Sequence, residues 1–488
     1  MSSALASLLE RLPFDPTADQ RRALDAVVRF TETSLDRPVL ILRGAAGTGK
    51  TALMRALVPW LEAREWFVVL MAPTGRAAKV LAGQATRQAF TVHKYIYAAE
   101  STPEGGLKFR RRKNEDPERT LYIVDEASMI GEGGEGWRGG GEVAGTRLLE
   151  DLLSFTLPIG PDGTGGRRLL LIGDPAQLPP VGHLTSPALE AEHLRTTYGV
   201  TAGAVHLREV RRQALESPIL RLATSLREAL DQGALMPTVS ADWLGPELRV
   251  VSSADEALDT FTTAFVRERP ESAALITYSN GVAVQANQAV RNQLLGEARA
   301  LEPGDQILVA KNHYNAHLDA LPFVANGELG RVLRVFELGD EPKYGLRWMG
   351  ADLEFTDPAG EPATVGGMIP IDLLTAKDAA LTREQIARLW KERREELANE
   401  PPPEGKGKKR RGPPEADPYL HPIQLKHGYA LTGHKAQGGQ WDDVVVMFEP
   451  SLGRMQAEDP RGFLRWCYTA ITRARTRLTL FRPPFTFS

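Results

Sequence analysis

A single cysteine, Cys467, stands among the 488 residues. That leaves the chain without an intramolecular disulfide or a cysteine-based zinc site. No apolar run is long enough to cross a bilayer, and the first residues lack the basic-then-apolar order of a secretion signal. The expectation is a cytoplasmic protein with no membrane partner. Charge of one sign is also missing: 59 Lys and Arg against 62 Asp and Glu leave a formal net charge of −3. This balance gives no bulk electrostatic reason to bind nucleic acid, yet it leaves room for a local basic groove. No repeat of fixed period is present. Single cores seldom grow past about 250–300 residues, so more than one domain is expected.

What the chain does have is alternation. Val39–Arg43, Phe67–Met71, Leu121–Val124 and Leu169–Ile172 are short apolar runs of the kind that form buried parallel strands, with helical patterns or loops between them. A second block begins near Leu248. Its strand candidates are Leu248–Val251, Ala274–Thr277, Val444–Phe448 and Leu478–Phe481, and its helical patterns are Asp255–Arg267 and Val282–Leu295. Strands alternating with helices predict an α/β fold with parallel sheets. Between roughly 301 and 420 the character changes. Gln306–Ala310, Gly330–Phe336, Tyr344–Trp348 and Leu353–Phe355 read as strands of a small β module, with turns at Asp305 and Asn326–Gly327. The second block resumes after it, which marks the module as an insertion. Three stretches read as loosely ordered: Ser101–Glu118, with its basic run Lys108–Lys113; Gly131–Gly145, with eight glycines; and the Pro/Gly/Lys/Arg-rich Pro401–Pro414.

The chemistry starts at Gly44-Ala45-Ala46-Gly47-Thr48-Gly49-Lys50-Thr51, a full G-x-x-x-x-G-K-[ST] phosphate loop placed after a strand and before a helix. Its glycines let backbone N–H groups turn toward phosphate oxygens, and the helix N-terminus adds partial positive charge. Lys50 is expected to reach the β- and γ-phosphates, and the Thr51 hydroxyl to ligate Mg²⁺. A second carboxylate for the metal follows a buried strand: Asp125, acting directly or through water, with Glu126 next to it to polarise the attacking water. Gln177, in Gly173-Asp174-Pro175-Ala176-Gln177, is placed to sense the γ-phosphate, although a plain turn would account for the Pro and Gly equally well. ATP and Mg²⁺ are the expected substrate and cofactor.

The order of short blocks from about Phe14 to Arg475 resembles the superfamily 1 helicases, and more narrowly the RecD/Dda-type 1B branch. Phe14–Gln20 is similar to the adenine-reading segment, with Gln20 on the base edge. Ala72–Ala78 and Thr91–Lys94 resemble the family's first DNA-contact blocks, and Asp125-Glu126 and Gly173–Gln177 its second and third motifs. Leu207–Gln213 is similar to the fourth, placing Arg212, or the adjacent Arg211, at the γ-phosphate. Leu431–Gly438 resembles the fifth, adding Gly438 to the nucleotide side, and Tyr468–Arg475 the sixth, with Arg473 as the arginine finger. The resemblance implies two RecA-like parallel-sheet P-loop domains with a small 1B insertion and an SH3-like β-barrel 2B insertion. In numbers these are 1–247 for domain 1A, with a 1B/pin insertion at 97–119 and a Gly-rich insertion at 131–146. Domain 2A is 248–300 with 421–488, and 2B is 301–420, with a basic linker at 399–416. The family pattern for 2B is carried by Lys311-Asn312 and Asn326–Gly330.

DNA contacts implied by the resemblance fall on Pro73, Thr74, Thr91, His93, Asn312, Thr432 and His434. Phe109 is the strand-separating pin candidate, the alternative being a disordered basic loop. Lys408–Arg411 reads either as a nucleic-acid contact or as a solvated linker. The implied function is ATP-dependent 5′-to-3′ translocation on single-stranded DNA and unwinding of forked duplexes by a monomer, with replication or repair proteins as partners. An RNA- or RNP-remodelling motor and a nucleotide-switch subunit of a recombination complex are the alternatives.

Overall fold

The structure is a computed structural model that describes every residue except 1, 102–106, 134–146, 159–165, 211–215, 234–235, 297–298, 315–322, 340, 358–360 and 400–416. At 99–101, 107–109, 314 and 323 it describes the backbone only.

The first lobe holds β1 (Pro38–Gly44), β2 (Phe67–Ala72), β3 (Ala89–Thr91), the hairpin β4 (Tyr97–Ser101) and β5 (Leu107–Arg111), β6 (Thr120–Val124), β7 (Arg168–Gly173) and β8 (Thr201–Leu207). Six of these form one sheet in the order β3-β2-β6-β7-β1-β8, and every pair in it is parallel. Helices cover both faces. Leu40 and Leu42 of β1 enter the core that holds Leu53 and Trp60, whereas Val39 and Ile41 enter the opposite one with Leu149 and Leu152. Burial on both faces is why β6 and β7 read as unbroken apolar runs. β8 escaped that reading because it is a sheet edge: Thr-Ala-Gly-Ala-Val-His-Leu is half exposed and poor in strand formers. β3 is only three residues long. The Gly-rich residues 134–146 lie outside the described residues.

The second lobe begins with β9 (Leu248–Val251) and β10 (Ala273–Thr277), and the β module then follows. Its strands are β11 (Gln306–Val309), the short hairpin β12 (His313–Tyr314) and β13 (Phe323–Val324), β14 (Leu329–Glu337), β15 (Trp348–Thr356), β16 (Pro362–Pro370) and β17 (Leu425–His427). They form an antiparallel sheet in the order β16-β15-β14-β11-β17, with β12 and β13 apart. Among the described residues that ladder is open, and the barrel closure implied by the resemblance does not appear in it. The module runs past 420, since β17 pairs with β11. Tyr344–Trp348 is not a strand but a turn, with Tyr344 at φ 56 and Gly345 at φ 77, and β15 starts only at Trp348. Helix Arg383–Asn399 also lies within this stretch; its mostly polar sequence buries only Leu389, so no apolar periodicity announces it.

The second lobe then resumes with β18 (Ala430–Thr432), β19 (Trp441–Met447) and β20 (Ala474–Phe481). They complete a five-stranded parallel sheet, β18-β10-β19-β20-β9. A buried ion pair fixes the module to this lobe: Arg291 meets both oxygens of Asp305 at 2.8 Å, and Tyr429 Oη donates to Asp305 Oδ1 at 2.9 Å.

Candidate nucleotide site between the two lobes

β1 delivers the chain into a loop whose Gly47 and Gly49 have φ of 76° and 84°, a region that side chains disfavour. Gly44 is crowded as well, because a Cβ there would lie 2.9 Å from Thr48 Oγ1 and 3.0 Å from Lys50 Cδ. Gly49 opens helix Lys50–Glu62 without any side-chain cap, so the first-turn N–H groups are left for another acceptor. Lys50 Nζ donates to Gly44 O at 2.6 Å and Ala45 O at 3.0 Å, which holds it over the loop. The Thr51 hydroxyl makes no hydrogen bond among the described residues. Gln20 is fully buried beneath the loop: its Nε2 donates to Thr48 O at 2.9 Å, and its Oε1 accepts from Thr17 N at 3.0 Å. In this structure the Gln20 amide braces the loop, and a base contact would use its remaining N–H or the second lone pair of Oε1.

Asp125 and Glu126 follow β6 directly. Asp125 Oδ1 accepts from the Glu126 N–H at 2.8 Å, and Glu126 takes a left-handed φ of 51°, the kind of local strain that collects at functional sites. Burial pushes the Glu126 carboxyl up, the Asp125 charge pushes it further, and Arg473 and Lys50 oppose the shift. Burial also raises Asp125, against the pull of the Glu126 N–H and of Lys50. Charges from both lobes therefore act on one pair of carboxyls.

The second lobe reaches this site through helix Pro460–Ile471 and the turn after it. Arg473 is buried, with Nε on Thr469 O at 2.9 Å, Nη1 on Gly439 O at 3.1 Å and Nη2 on Thr472 Oγ1 at 3.1 Å. Tyr468, which the sequence reading passed over in favour of Arg473, touches the phosphate loop itself: its hydroxyl accepts from Ala46 N–H at 2.8 Å and donates to Asp174 Oδ2 at 2.6 Å. Leu178 N donates to Thr469 Oγ1, and Gln437 Nε2 to Leu178 O. Next to Leu178, Gln177 Oε1 is buried with no hydrogen-bond partner among the described residues. The structure thus brings Lys50, Asp125, Glu126 and Arg473 within one another's electrostatic reach, and Gln177 follows Asp174, whose charge also acts on Glu126. A Cβ on Gly438 would lie 2.8 Å from Ala77 Cβ and 3.3 Å from Thr74 Oγ1, while the next residue, Gly439, accepts from Arg473 Nη1. Arg212 falls outside the described residues.

Several expected DNA contacts have local work in the fold. Thr74 Oγ1 caps helix Gly75–Ala85 through Ala77 N, and Thr91 Oγ1 caps helix Val92–Ile96 through Lys94 N. Asn312 Oδ1 accepts from Asn326 N and so holds the Asn326–Gly327 turn. Burial drives His93 down to about 4, leaving it neutral at pH 7, and its Nε2 is buried without a partner among the described residues. Thr432 is buried, and burial also lowers His434. Pro73, before Thr74, is partly exposed. Phe109 lies in β5, and its side chain is outside the described residues.

A phosphate loop in one parallel α/β lobe, faced by an arginine and a tyrosine of another, defines a two-lobed P-loop nucleotide-binding protein. Residues 16–134 match the AAA domain model, and residues 427–481 the UvrD-like helicase C-terminal domain. The chain is 26% identical over 496 residues to the ATP-dependent RecD2 DNA helicase of Deinococcus radiodurans, covering 97% of this chain and 53% of that protein. It is 24% identical over 519 residues to the RecBCD enzyme subunit RecD of Mycobacterium tuberculosis, covering 97% and 72%. The Pif1 helicase from Bacteroides, solved in complex with ADP-AlF3 and ssDNA, overlaps 96% of this chain and 92% of its own at 16% identity and a TM-score of 0.47. The chain therefore spans about half the length of the RecD2 relative. By its domain models and sequence relatives the chain is similar to the RecD-type helicases.

Proposed function

We propose that this chain is an ATP-dependent DNA helicase that moves 5′ to 3′ along single-stranded DNA and opens forked duplexes, acting as a cytoplasmic monomer. The observation that carries the reading is the divided site. Lys50, Asp125 and Glu126 belong to the first lobe, and Arg473 and Tyr468 reach them from the second. A site split in this way makes lobe closure depend on the nucleotide and lobe opening depend on hydrolysis. Lys50 and the loop N–H groups bind the phosphates of ATP. Glu126 orients and deprotonates the attacking water, and Arg473 stabilises charge on the transferred phosphoryl group. Gln177, in the turn after Asp174, offers a buried acceptor unmatched among the described residues. The uncommitted Thr51 hydroxyl and the Asp125 carboxylate suit a divalent cation and would hold Mg²⁺, which neutralises phosphate charge when bound. Arg212 stays in the proposal as a γ-phosphate contact by resemblance, as do Gln20 at the adenine and Pro73, Thr74, Thr91, His93, Phe109, Asn312, Thr432 and His434 at the DNA.

The test is strand displacement on duplexes carrying either a 5′ or a 3′ single-stranded tail, with ATP turnover measured alongside on single-stranded DNA and on RNA. Unwinding of the 5′-tailed substrate and stimulation by DNA are expected. Turnover without unwinding of either substrate would replace the motor with a nucleotide switch, and stimulation by RNA alone would move the substrate.

A further inference from the structure

Arg76 sits where the first lobe, the second lobe and the β module meet; it lies in the Ala72–Ala78 block, but the nucleotide chemistry does not use it and the DNA contacts expected of that block are Pro73 and Thr74. Its guanidinium lies over the Trp441 ring at 4.7 Å, and its Nη2 donates to Gly327 O at 3.3 Å. Its Nη1 is buried with no hydrogen-bond partner among the described residues. The same guanidinium packs on Gly439, where a Cβ would lie 2.7 Å from Arg76 Cδ, 2.8 Å from Nη1 and 2.6 Å from Trp441 Cη2. Gly439 must therefore stay glycine for Arg76 to keep its place.

Gly439 and Trp441 are also the residues that hold Arg473. Arg473 Nη1 donates to Gly439 O at 3.1 Å, and Trp441 N donates to Arg473 O at 2.9 Å. One short segment of the second lobe thus carries Arg473 on one side and Arg76 on the other. Arg76 is the second residue of helix Gly75–Ala85, whose cap is Thr74.

We infer that Arg76 is a positioning residue that relays the state of Arg473 to the Pro73–Thr74 strand end, through Gly439. The inference rests on the ATP-driven reading above. When Arg473 turns toward a phosphoryl group, it gives up the Gly439 carbonyl, and Arg76 Nη1, packed on the same glycine, is the buried donor without a partner among the described residues. Taking up that carbonyl draws in the start of helix Gly75–Ala85, and Thr74 moves with it. Charge keeps the two arginines from settling together. Burial lowers Arg76 to about 10, so it remains a cation at pH 7, and Arg473 repels it. The nearby carboxylate, Glu328, is held by Lys79. With Glu328 engaged by Lys79, Arg76 is held on the module side by its Gly327 contact, and its Nη1 faces the Gly439 side.

The experiment compares ATP turnover with and without oligo-dT, and oligo-dT affinity, in the full chain and in Arg76→Gln, Gly439→Ala and the double variant. Each single change is expected to cut the DNA-stimulated to DNA-independent ratio by about tenfold, the scale of an intersite coupling, with oligo-dT affinity retained. The double variant is expected to be no worse than the weaker single, because both break one contact. Native-level stimulation in both single variants, additive losses, or a parallel fall in oligo-dT affinity each overturn the relay, the last by making Arg76 an ordinary DNA contact. Gly439→Ala carries the test by itself if Arg76→Gln does not fold. Stimulation absent from the unaltered chain overturns the motor reading and the relay together, whereas stimulation kept equally by the variants overturns the relay alone.

Discussion

The Tyr468 hydroxyl accepts a hydrogen bond from the Ala46 N–H and donates one to Asp174, joining residues 422 positions apart across the two lobes. Tyr468→Phe keeps the buried ring and removes only this link. It leaves the Asp174 carboxylate with one donor fewer and the Ala46 N–H without its partner. The expected loss is about 1–3 kcal/mol of stability, the scale for orphaning buried polar groups, read as a lower urea midpoint. A midpoint equal to that of the native chain would show the link contributes nothing.

Glu126 sets the pH dependence. Burial and the Asp125 charge raise its pKa above the ordinary glutamate value of about 4.3. A general base works only when ionised, so turnover should fall as pH drops through that raised value, at a higher pH than an ordinary glutamate would give. Arg473 opposes the shift, so Arg473→Ala should move the acid limb further up in pH while lowering kcat more than ATP affinity. An acid limb that stays in place would remove Arg473 from the field of Glu126. Glu126→Gln should bind ATP and lose about 10²–10⁴-fold in turnover, the usual contribution of a general base.

Lys50→Ala should abolish hydrolysis. Among the described residues its Nζ bonds only to loop carbonyls, Gly44 O and Ala45 O, so the substitution takes no hydrogen bond from the core, and the buried Asp125 and Glu126 lose a charge that their rise in pKa can offset. A normal melting temperature with no ATP turnover is the expected pair of results. Turnover at the native rate would place the phosphate site elsewhere.

The parts legible in sequence were those fixed by local geometry. The phosphate loop, Asp125 and Glu126 each sit at the end of a buried strand, and a doubly covered strand writes itself as an apolar run. Edge strand β8 and the polar helix Arg383–Asn399 write no such run, so they were not visible. Thr74 and Thr91 look alike in sequence as caps or as phosphate contacts, because a hydroxyl at a helix start serves either purpose. Tyr468 and Arg76 draw their meaning from partners hundreds of residues away, which no spacing rule reaches. An aromatic inside a helical run reads as core, and the ring of Tyr468 is core; its hydroxyl instead bonds the phosphate loop.

The junction between the second lobe and the β module supplies the sharpest test of how the module is carried. Asp305 is fully buried, and its oxygens accept from Arg291 Nε and Nη2, Tyr429 Oη and Glu302 N. Arg291 is itself 7% exposed and also donates to Arg299 O. Asp305→Ala leaves that guanidinium buried with no counter-charge, a change that typically costs about 3–5 kcal/mol. The cost should fall on the module first, because β11 begins at the next residue and hangs on the same network through Gln306 N and Tyr429 Oη. Hydrogen exchange should therefore rise in β11 and its partners β14 and β17 before it rises in β10, with the urea midpoint lowered as well. Equal protection in β11 and β10 would mean that module and lobe open as one unit, and that the ion pair stabilises the whole rather than the joint.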